Sequence, residues 1–251
     1  MGLEKENKIV FTIQEAKEIL KDKGPAVKKV IYRLKNKNRI TQIERGKYIL
    51  SPARAGVEGF WSEHPYKIVP VLMEEYYISY WSALNYWEFT DQLPTITYVA
   101  CKSSKDSIEV KGQRIKFIRI DDKKFYGYTE EKMGEKLFNI ATMEKTIIDS
   151  LDKPDYAGGI KTVVKGLKSK KNDIDFEKLV ELTNKFPNQA VKRRLGYLLD
   201  ELNLLTPDLE RSLLEDFKGY RWLDYTESKD DFEYDKKWGL KVNTTIGEIH
   251  G

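Results

Sequence analysis

Cysteine and histidine are scarce in this sequence. Its 251 residues include one cysteine, Cys101, and two histidines, His64 and His250. A single cysteine cannot form an intrachain disulfide, and unpaired thiols are typical of proteins that stay in a reducing compartment. These three side chains are also too few for a structural zinc site with four cysteine and histidine ligands. The sequence therefore predicts an intracellular protein with neither a disulfide framework nor a zinc centre, and we expect no cofactor.

Long apolar runs and low-complexity segments are absent as well. No segment approaches the roughly 18 consecutive apolar residues of a membrane span. The first eight residues, MGLEKENK, carry four charges, unlike a secretory signal. Glycine and proline number only 16 and 8, whereas 40% of the residues are hydrophobic, which is enough for a sizeable core. We expect a cytoplasmic globular protein that does not contact membranes.

Positive charge is concentrated at the start of the chain. Residues 1–56 contain 14 lysines and arginines against 6 aspartates and glutamates, a net charge of +8. The whole chain carries +4, so residues 57–251 carry −4, and residues 200–235 alone have 4 basic and 12 acidic side chains. A basic head on an acidic body is typical of a polyanion-binding module joined to a second domain.

Two helices with a tight turn are predicted in the basic head. Thr12 and Glu15 have the spacing of a capping box, which begins the first helix. Gly24-Pro25 ends that helix and begins the second. The second helix has an apolar stripe of Val27, Val30, Ile31 and Leu34. Its opposite face presents Lys28, Lys29, Tyr32, Arg33 and Lys35, a pattern typical of a helix-turn-helix unit that binds DNA.

A basic hairpin is predicted directly after the second helix. Ile40 to Ile43 and Tyr48 to Leu50 have strand character, and Gly46 lies in the turn between Arg45 and Lys47. A helix followed by such a hairpin is the order of a winged helix. The helix would enter the major groove, and the wing would touch the DNA backbone through Arg45 and Lys47. The alternative is a solvated charged helix beside an ordinary hairpin.

The basic head resembles the amino-terminal winged helix of the AbiEi antitoxin family, a group of bacterial and archaeal transcriptional regulators. The resemblance rests on FTIQEAKEIL, VKKVIYRLKNKNRI and IERGKYILSP. It continues in SYWSALNYWEFTDQLPTITYVA, in NIATMEKTIIDSLDKP followed by GGI, and in KRRLGYLLDELNLL. The resemblance implies a DNA-binding repressor that is also the antitoxin of a type IV toxin–antitoxin pair. Such an antitoxin autoregulates its operon and counters a nucleotidyltransferase-like toxin without a stable complex.

The remaining residues predict a mixture of strands and helices. Pro52 to Gly59 is the expected linker. Strands are expected at 95–100, 108–110, 114–120 and 137–141, and helices at 79–89, 143–151, 175–186, 189–203 and 207–217. Lys145 and Asp149 are four residues apart on one predicted helix, so an ion pair explains them better than catalysis does. Lys192-Arg193-Arg194 suits either a solvated helix face, which we favour, or a second phosphate contact.

One enzymatic alternative concerns Asp91, Glu109 and Lys111. In a restriction-type nuclease, two carboxylates hold magnesium and a lysine polarises the attacking water. Three such residues are a weak pattern in a chain that is 33% charged, so we expect a protein without enzymatic activity. A stand-alone regulator without a toxin is a further alternative.

The predicted fold class is α+β, with an N-terminal winged helix-turn-helix and an α/β domain that has a helical C-terminal part. The predicted domains are residues 1–56, which bind DNA, and residues 57–251, the antitoxin-type domain. The expected partners are double-stranded operator DNA and a nucleotidyltransferase-like toxin. The predicted DNA-binding side chains are Lys28, Lys29, Tyr32, Arg33, Lys35, Arg45 and Lys47.

Overall fold

The structure, a computed structural model, describes residues 10–21, 24–51, 64–110 and 112–246. Within these ranges, α-helices and three β-sheets are mixed in an α+β arrangement, as the sequence predicts. The helices are α1 (Ile13–Leu20), α2 (Pro25–Asn36), α3 (Pro65–Leu72), α4 (Tyr80–Tyr86), α5 (Met143–Asp152), α6 (Ile160–Ser169), α7 (Phe176–Lys185), α8 (Gln189–Glu201) and α9 (Pro207–Leu213). No helix in the described ranges is long and apolar enough to cross a membrane.

The strands of the first sheet flank α1 and α2 in the sequence. Its strands are β1 (Val10–Thr12), β2 (Ile40–Glu44) and β3 (Lys47–Leu50), in the order β1-β3-β2 with antiparallel neighbours. The chain therefore runs strand, helix, helix and hairpin. A separate small core holds these elements together, formed by Phe11, Ala16, Val27, Ile31, Ile40, Tyr48 and Leu50.

Local sequence features account for the boundaries of these elements. The Thr12 hydroxyl accepts a hydrogen bond from the Glu15 amide at 3.2 Å, and the Glu15 carboxylate accepts one from the Thr12 amide at 2.7 Å. This is the predicted capping box. Pro25 stands in the first turn of α2, where a missing N–H costs nothing. Gly46 has a φ of +79°, which a tight hairpin turn requires.

The central sheet has six strands in the order β6-β7-β5-β4-β9-β8. They are β4 (Tyr76–Ile78), β5 (Ile96–Cys101), β6 (Ile108–Val110), β7 (Gln113–Arg119), β8 (Tyr128–Met133) and β9 (Lys136–Ala141). Two neighbouring pairs are parallel, β5 with β7 and β4 with β9, and the rest are antiparallel. Cys101 ends β5 and is fully buried, as expected for an inert thiol.

Helices α5 to α9 form the carboxy-terminal part, together with a small third sheet. This sheet contains β10 (Arg221–Trp222), β11 (Glu233–Asp235) and β12 (Leu240–Val242), in the order β10-β12-β11. Leu240 of β12 packs into the large core that α5 to α9 share. The predicted helices of this region are confirmed, with ends that differ by a few residues.

The first sheet also contacts the central one. Val10 and Ile49 belong to the core of the central sheet, the Lys47 Nζ lies 3.3 Å from the carbonyl oxygen of Leu72 at the end of α3, and Lys105 forms an ion pair with Glu44. The predicted linker and the predicted domain boundary at residue 56 lie outside the described residues. The division into residues 1–56 and 57–251 therefore stays a prediction.

The structure corrects the interpretation of Lys192-Arg193-Arg194. Arg193 is 2% exposed and Arg194 is 4% exposed, so neither belongs to a solvated face or reaches a phosphate. The Arg193 guanidinium donates to the carbonyl oxygens of Gly219, Gly239 and Lys218 at 2.6–3.0 Å. Arg194 donates to those of Trp222 and Leu151 at 2.6–3.1 Å. Both side chains link the third sheet and the loop before it to α8. Each guanidinium group has five N–H donors in one plane, so it can donate to several carbonyl oxygens at once.

Replacing Arg193 by methionine is expected to lower the free energy of unfolding by about 2–4 kcal/mol. The change leaves three carbonyl acceptors without their donor, and each unsatisfied buried group costs roughly 1–3 kcal/mol. Water that enters the site and bonds some of these carbonyl oxygens reduces the total cost. The exposed Arg211, paired with Asp208 on α9, provides the control, and Arg211→Met should cost less than about 0.5 kcal/mol. Urea unfolding of both variants measures this. Equal stabilities would contradict the fastening role of Arg193.

Candidate nucleic-acid interface

The outward face of α2 is a continuous basic and aromatic surface. Lys28, Lys29, Tyr32 and Arg33 are all exposed, and Tyr32 is exposed over 66% of its area. Because residues four apart lie on one side of a helix, these four side chains stand side by side. Together they line a shallow depression of about 490 Å³. Sequence reasoning predicted all four, and the structure brings them together.

The buried face of α2 explains this orientation. Val27 and Ile31 pack into the small core, and Val30 and Leu34 are half-buried. An apolar stripe with this spacing directs the intervening side chains outward. The hydrophobic contacts therefore hold the basic face toward solvent.

Positive charge lies near the N-terminal end of α2, where the helix dipole is already positive. The first turn contains no acidic residue, and Lys28 and Lys29 are the fourth and fifth residues of the helix. The N-terminal end of a helix carries a partial positive charge and favours anions. Lysines there are unfavourable for the isolated helix, and a bound phosphate group would relieve the repulsion. The site is therefore suited to a polyanion.

Lys35 and the hairpin lie beside this face. The exposed Lys35 donates from Nζ to the Oε1 atom of Gln42 on β2 at 3.2 Å. Arg45 is exposed at the hairpin turn. Lys47 is half-buried, and its Nζ lies 3.3 Å from the Oε2 atom of Glu44 and 3.3 Å from the Leu72 carbonyl oxygen. Of the two predicted wing contacts, Arg45 is thus the one whose side chain lies at the tip, and Lys47 is directed toward α3.

A second polar cluster lies inside the protein around Lys145. Lys145 and Asp149 form the predicted ion pair along α5, but the pair is buried, with the Lys145 side chain fully inaccessible. The other oxygen of Asp149 accepts from the Ser79 hydroxyl at 2.7 Å. The rings of Tyr77, Tyr126 and Phe186 surround the ammonium at 5.0–5.5 Å. Burial lowers the pKa of the Lys145 ammonium, and Asp149 opposes that shift. The cluster is enclosed by the protein, and the Asp149 carboxylate of its ion pair joins α5 to the residue that precedes α4.

The nuclease alternative gains no support from the geometry. Asp91 lies in an exposed loop, Glu109 is exposed on β6, and Lys111 lies outside the described residues. Among the residues that are described, no three cysteine, histidine, aspartate or glutamate side chains lie close enough to share a metal ion.

Comparison with known proteins gives one informative result. No protein-family profile matches the sequence, and no curated protein has a significantly similar sequence. Among solved structures, the fold is similar to that of the RV2827C protein from Mycobacterium tuberculosis, with a TM-score of 0.69. The two chains are 15% identical, and the match covers 96% of this chain and 88% of the other. At this identity the likeness concerns the fold alone.

Proposed function

We propose that the protein is a DNA-binding transcriptional repressor and that its basic N-terminal unit is a winged helix. The observation that carries this proposal is the outward face of α2, where Lys28, Lys29, Tyr32 and Arg33 are exposed together around one depression. Three cations and an aromatic ring on one helix face match the charge and shape of the DNA major groove.

The order of the elements supports the winged helix. Two helices precede a hairpin, and β1 completes a three-stranded sheet with that hairpin. In such a module the second helix reads the major groove and the hairpin touches the flanking backbone. Here these elements are α2 and the β2-β3 hairpin, with Arg45 at its tip.

The charge distribution favours DNA over a merely solvated surface. Residues 1–56 carry +8, although the rest of the chain is acidic. A lysine-rich surface that served solubility alone would not need to lie over the first turn of a helix, where it is unfavourable. Phosphate contacts stabilise that arrangement and position the helix for contacts with base edges.

The antitoxin role rests on the resemblance to the AbiEi family. In this proposal the protein represses its own operon and counters a nucleotidyltransferase-like toxin without a stable complex. The alternative, a stand-alone regulator, is distinguished by the neighbouring gene and by co-expression. If the adjacent open reading frame encodes a nucleotidyltransferase-like protein whose toxicity this chain suppresses, the antitoxin role holds. An unrelated neighbouring gene, or toxicity that persists, favours the stand-alone regulator.

Replacing Arg33 by alanine is expected to reduce sequence preference, whereas replacing Arg45 should weaken binding to all DNA alike. Arg33 reaches base edges in this proposal, and a bidentate contact to guanine is worth about 1–3 kcal/mol of discrimination. Arg45 contacts phosphate, so Arg45→Ala should lower the slope of log affinity against log salt by about one unit. The measurement uses a duplex selected by the protein from a random pool, compared with random DNA across a salt series.

The exposed Lys132 on β8 provides the control for a lost charge far from the proposed site. Lys132→Ala should leave both the sequence preference and the salt dependence of DNA affinity unchanged. If Arg45→Ala removes sequence preference and Arg33→Ala leaves it intact, then Arg45 contacts the base edges and Arg33 contacts the phosphates, the reverse of the proposal. If neither variant changes affinity, the DNA-binding proposal is wrong.

A further inference from the structure

A depression of about 670 Å³ lies where α6, α8 and the third sheet meet. Its lining includes Lys161 of α6, Tyr197 of α8 and Val242 of β12. Five carboxylates also line it, those of Glu201, Glu227, Asp230, Asp231 and Glu233. These eight residues define the acidic depression. Its volume is within the roughly 300–1,000 Å³ of small-molecule sites, so it is large enough for a small ligand.

The strand register places the acidic depression on the side of the third sheet that faces α8. Glu233 pairs with Val242, and Asp235 pairs with Leu240, so these four side chains share one face. Leu240 is fully buried in the core to which α8 also contributes. The depression is therefore an extension of the contact between the sheet and α8.

Two lysines of this region lie on the opposite face of the sheet. Lys241 pairs with Tyr234 and with Trp222, so its side chain alternates with those of the inner face. The Nζ atoms of Lys241 and Lys229 lie 4.9 Å and 5.9 Å from the ring centre of Trp222. Both ammonium groups are thus held on the aromatic side, and neither neutralises the depression.

Carboxylates outnumber cations within the depression. Among the described residues that line it, Lys161 is the only cation, and its Nζ lies 3.3 Å from the Oε1 atom of Glu227. Lys168 lies nearby, with its Nζ 3.5 Å from the carbonyl oxygen of Ile246. The other four carboxylates form no ion pair within the described part of the chain. The depression therefore attracts cations and repels phosphates.

Two enclosed hydroxyl groups in the lining lack a hydrogen-bond partner among the described residues. Tyr197 is 8% exposed, and burial raises the pKa of its hydroxyl, with further contributions from Glu201, Asp235 and Glu233. Thr244 is 9% exposed, and its Oγ1 atom is buried and unpaired. An unsatisfied buried polar group indicates a missing partner such as an ion. A hydroxyl oxygen beside carboxylates can accept a hydrogen bond from an ammonium group.

The shape of the site favours an extended cation over a metal ion. No three carboxylates of the described residues lie close enough together to share a metal ion, so the negative charge is dispersed. Tyr197, Val242 and Ile246 pack on the large core and give the depression an apolar part. Methylene segments lie well on apolar surface while their ammonium groups reach polar partners, as lysine side chains do.

We propose that the acidic depression binds a linear aliphatic polyamine. Its ammonium groups pair with Glu201, Glu233 and the neighbouring carboxylates, and one of them donates to the hydroxyl oxygen of Tyr197. Its methylene groups lie on Val242 and Ile246. This site is separate from the basic face of α2, so it does not depend on the proposed DNA binding.

The test is calorimetric titration of the full-length protein with spermidine at low salt, and we expect one molecule bound per chain. Tyr197→Phe keeps the ring and its packing, and it should weaken binding about fivefold through the loss of one hydrogen bond to a charged group. The double variant Glu201→Gln/Glu233→Gln should also weaken binding about fivefold, through the loss of two partly exposed ion pairs. Thermal melting confirms that each variant is folded.

A matched variant and two control ligands separate this site from general attraction by charge. Glu74→Gln/Glu130→Gln removes two exposed carboxylates outside the depression and should change spermidine affinity by less than about twofold. Mg²⁺ and butylamine should not displace spermidine at equal concentration. Dispersed carboxylates do not form a metal site, and a monoamine pairs with one carboxylate only.

The proposal is overturned if the parent protein shows no saturable binding of spermidine. It is also overturned if either depression variant binds spermidine as tightly as the parent, or if the Glu74/Glu130 control loses as much affinity as the Glu201/Glu233 variant. Binding of Mg²⁺ that is tighter than that of spermidine and is lost in the depression variants would identify a metal site instead.

Discussion

Replacing Lys28, Lys29 and Arg33 together by glutamate is expected to reduce DNA affinity by at least roughly 100-fold, since three phosphate-attracting charges become repulsive. The three side chains are exposed and lie around one depression, so the loss should not come from unfolding. Stability should change little, because glutamate is favourable near the N-terminal end of α2, at Lys28 and Lys29, and unfavourable in its last turn, at Arg33. Fluorescence anisotropy with labelled duplex and thermal melting measure the two quantities.

A matched triple variant controls for net charge. Lys123, Lys132 and Lys171 are exposed lysines outside the first sheet, and replacing them by glutamate changes the net charge equally. If only the α2 face binds DNA, the DNA affinity of this control should fall by less than about threefold. A small loss is expected because distant charges still act weakly at physiological salt. An equal loss of DNA affinity in both variants would mean that binding depends on the net charge of the protein and that α2 has no special role.

Replacing Lys145 by methionine is expected to lower the free energy of unfolding by about 3–5 kcal/mol, the usual cost of breaking a buried ion pair from one side. The variant leaves the Asp149 carboxylate buried without its ammonium partner. The double variant Lys145→Met/Asp149→Leu should recover most of the loss, because no unpaired charge is left inside.

The exposed pair Glu181–Lys185 on α7 has the same four-residue spacing and provides the control. Lys185→Met should change stability by less than about 0.5 kcal/mol. Urea unfolding of these three variants and of the parent protein gives the comparison. The buried ion pair would not explain the result if Lys145→Met lowered the free energy of unfolding no more than Lys185→Met does. A double variant less stable than Lys145→Met would contradict it as well.

The sequence predicts the N-terminal unit well because local signals there agree with one another. The Thr12 capping box, Pro25 in the first turn and Gly46 in the hairpin each specify a boundary from neighbouring residues alone. The basic face of α2 is predicted for the same reason, because it lies on the side of the helix opposite a clear apolar stripe.

Elements that depend on tertiary contacts are missed. Helix α3 escapes prediction because nearly all of its residues are apolar, so no polar face marks the helical period, and because Pro70 stands inside it. Strand β8 is an edge strand with charged residues on both faces, so it lacks the alternation of a half-buried strand. Ser79 opens the predicted helix 79–89 and stands at the N-cap of α4, but its hydroxyl donates to the buried Asp149 and makes no capping bond.

Buried cations are the hardest feature to infer from sequence. Arg193 and Arg194 follow Lys192 in what looks like a solvated run, yet both guanidinium groups are enclosed by backbone carbonyls from residues 151–239. Nothing in the local pattern reveals those acceptors, because they come from distant parts of the chain. The half-buried Lys47 is similar, because its partner, the Leu72 carbonyl oxygen at the end of α3, also comes from a distant part of the chain.

The most direct test of the central claim is a map of the amides that respond when DNA binds. The ¹⁵N-labelled full-length protein is titrated with a duplex that it has selected from a random pool. The account predicts that the largest chemical-shift changes fall at residues 24–36 of α2 and its N-terminus, with a second group around Arg45 in the hairpin. It predicts small changes in the third sheet. Changes that are largest in the third sheet, or absent from α2 at saturating DNA, would contradict the proposed function.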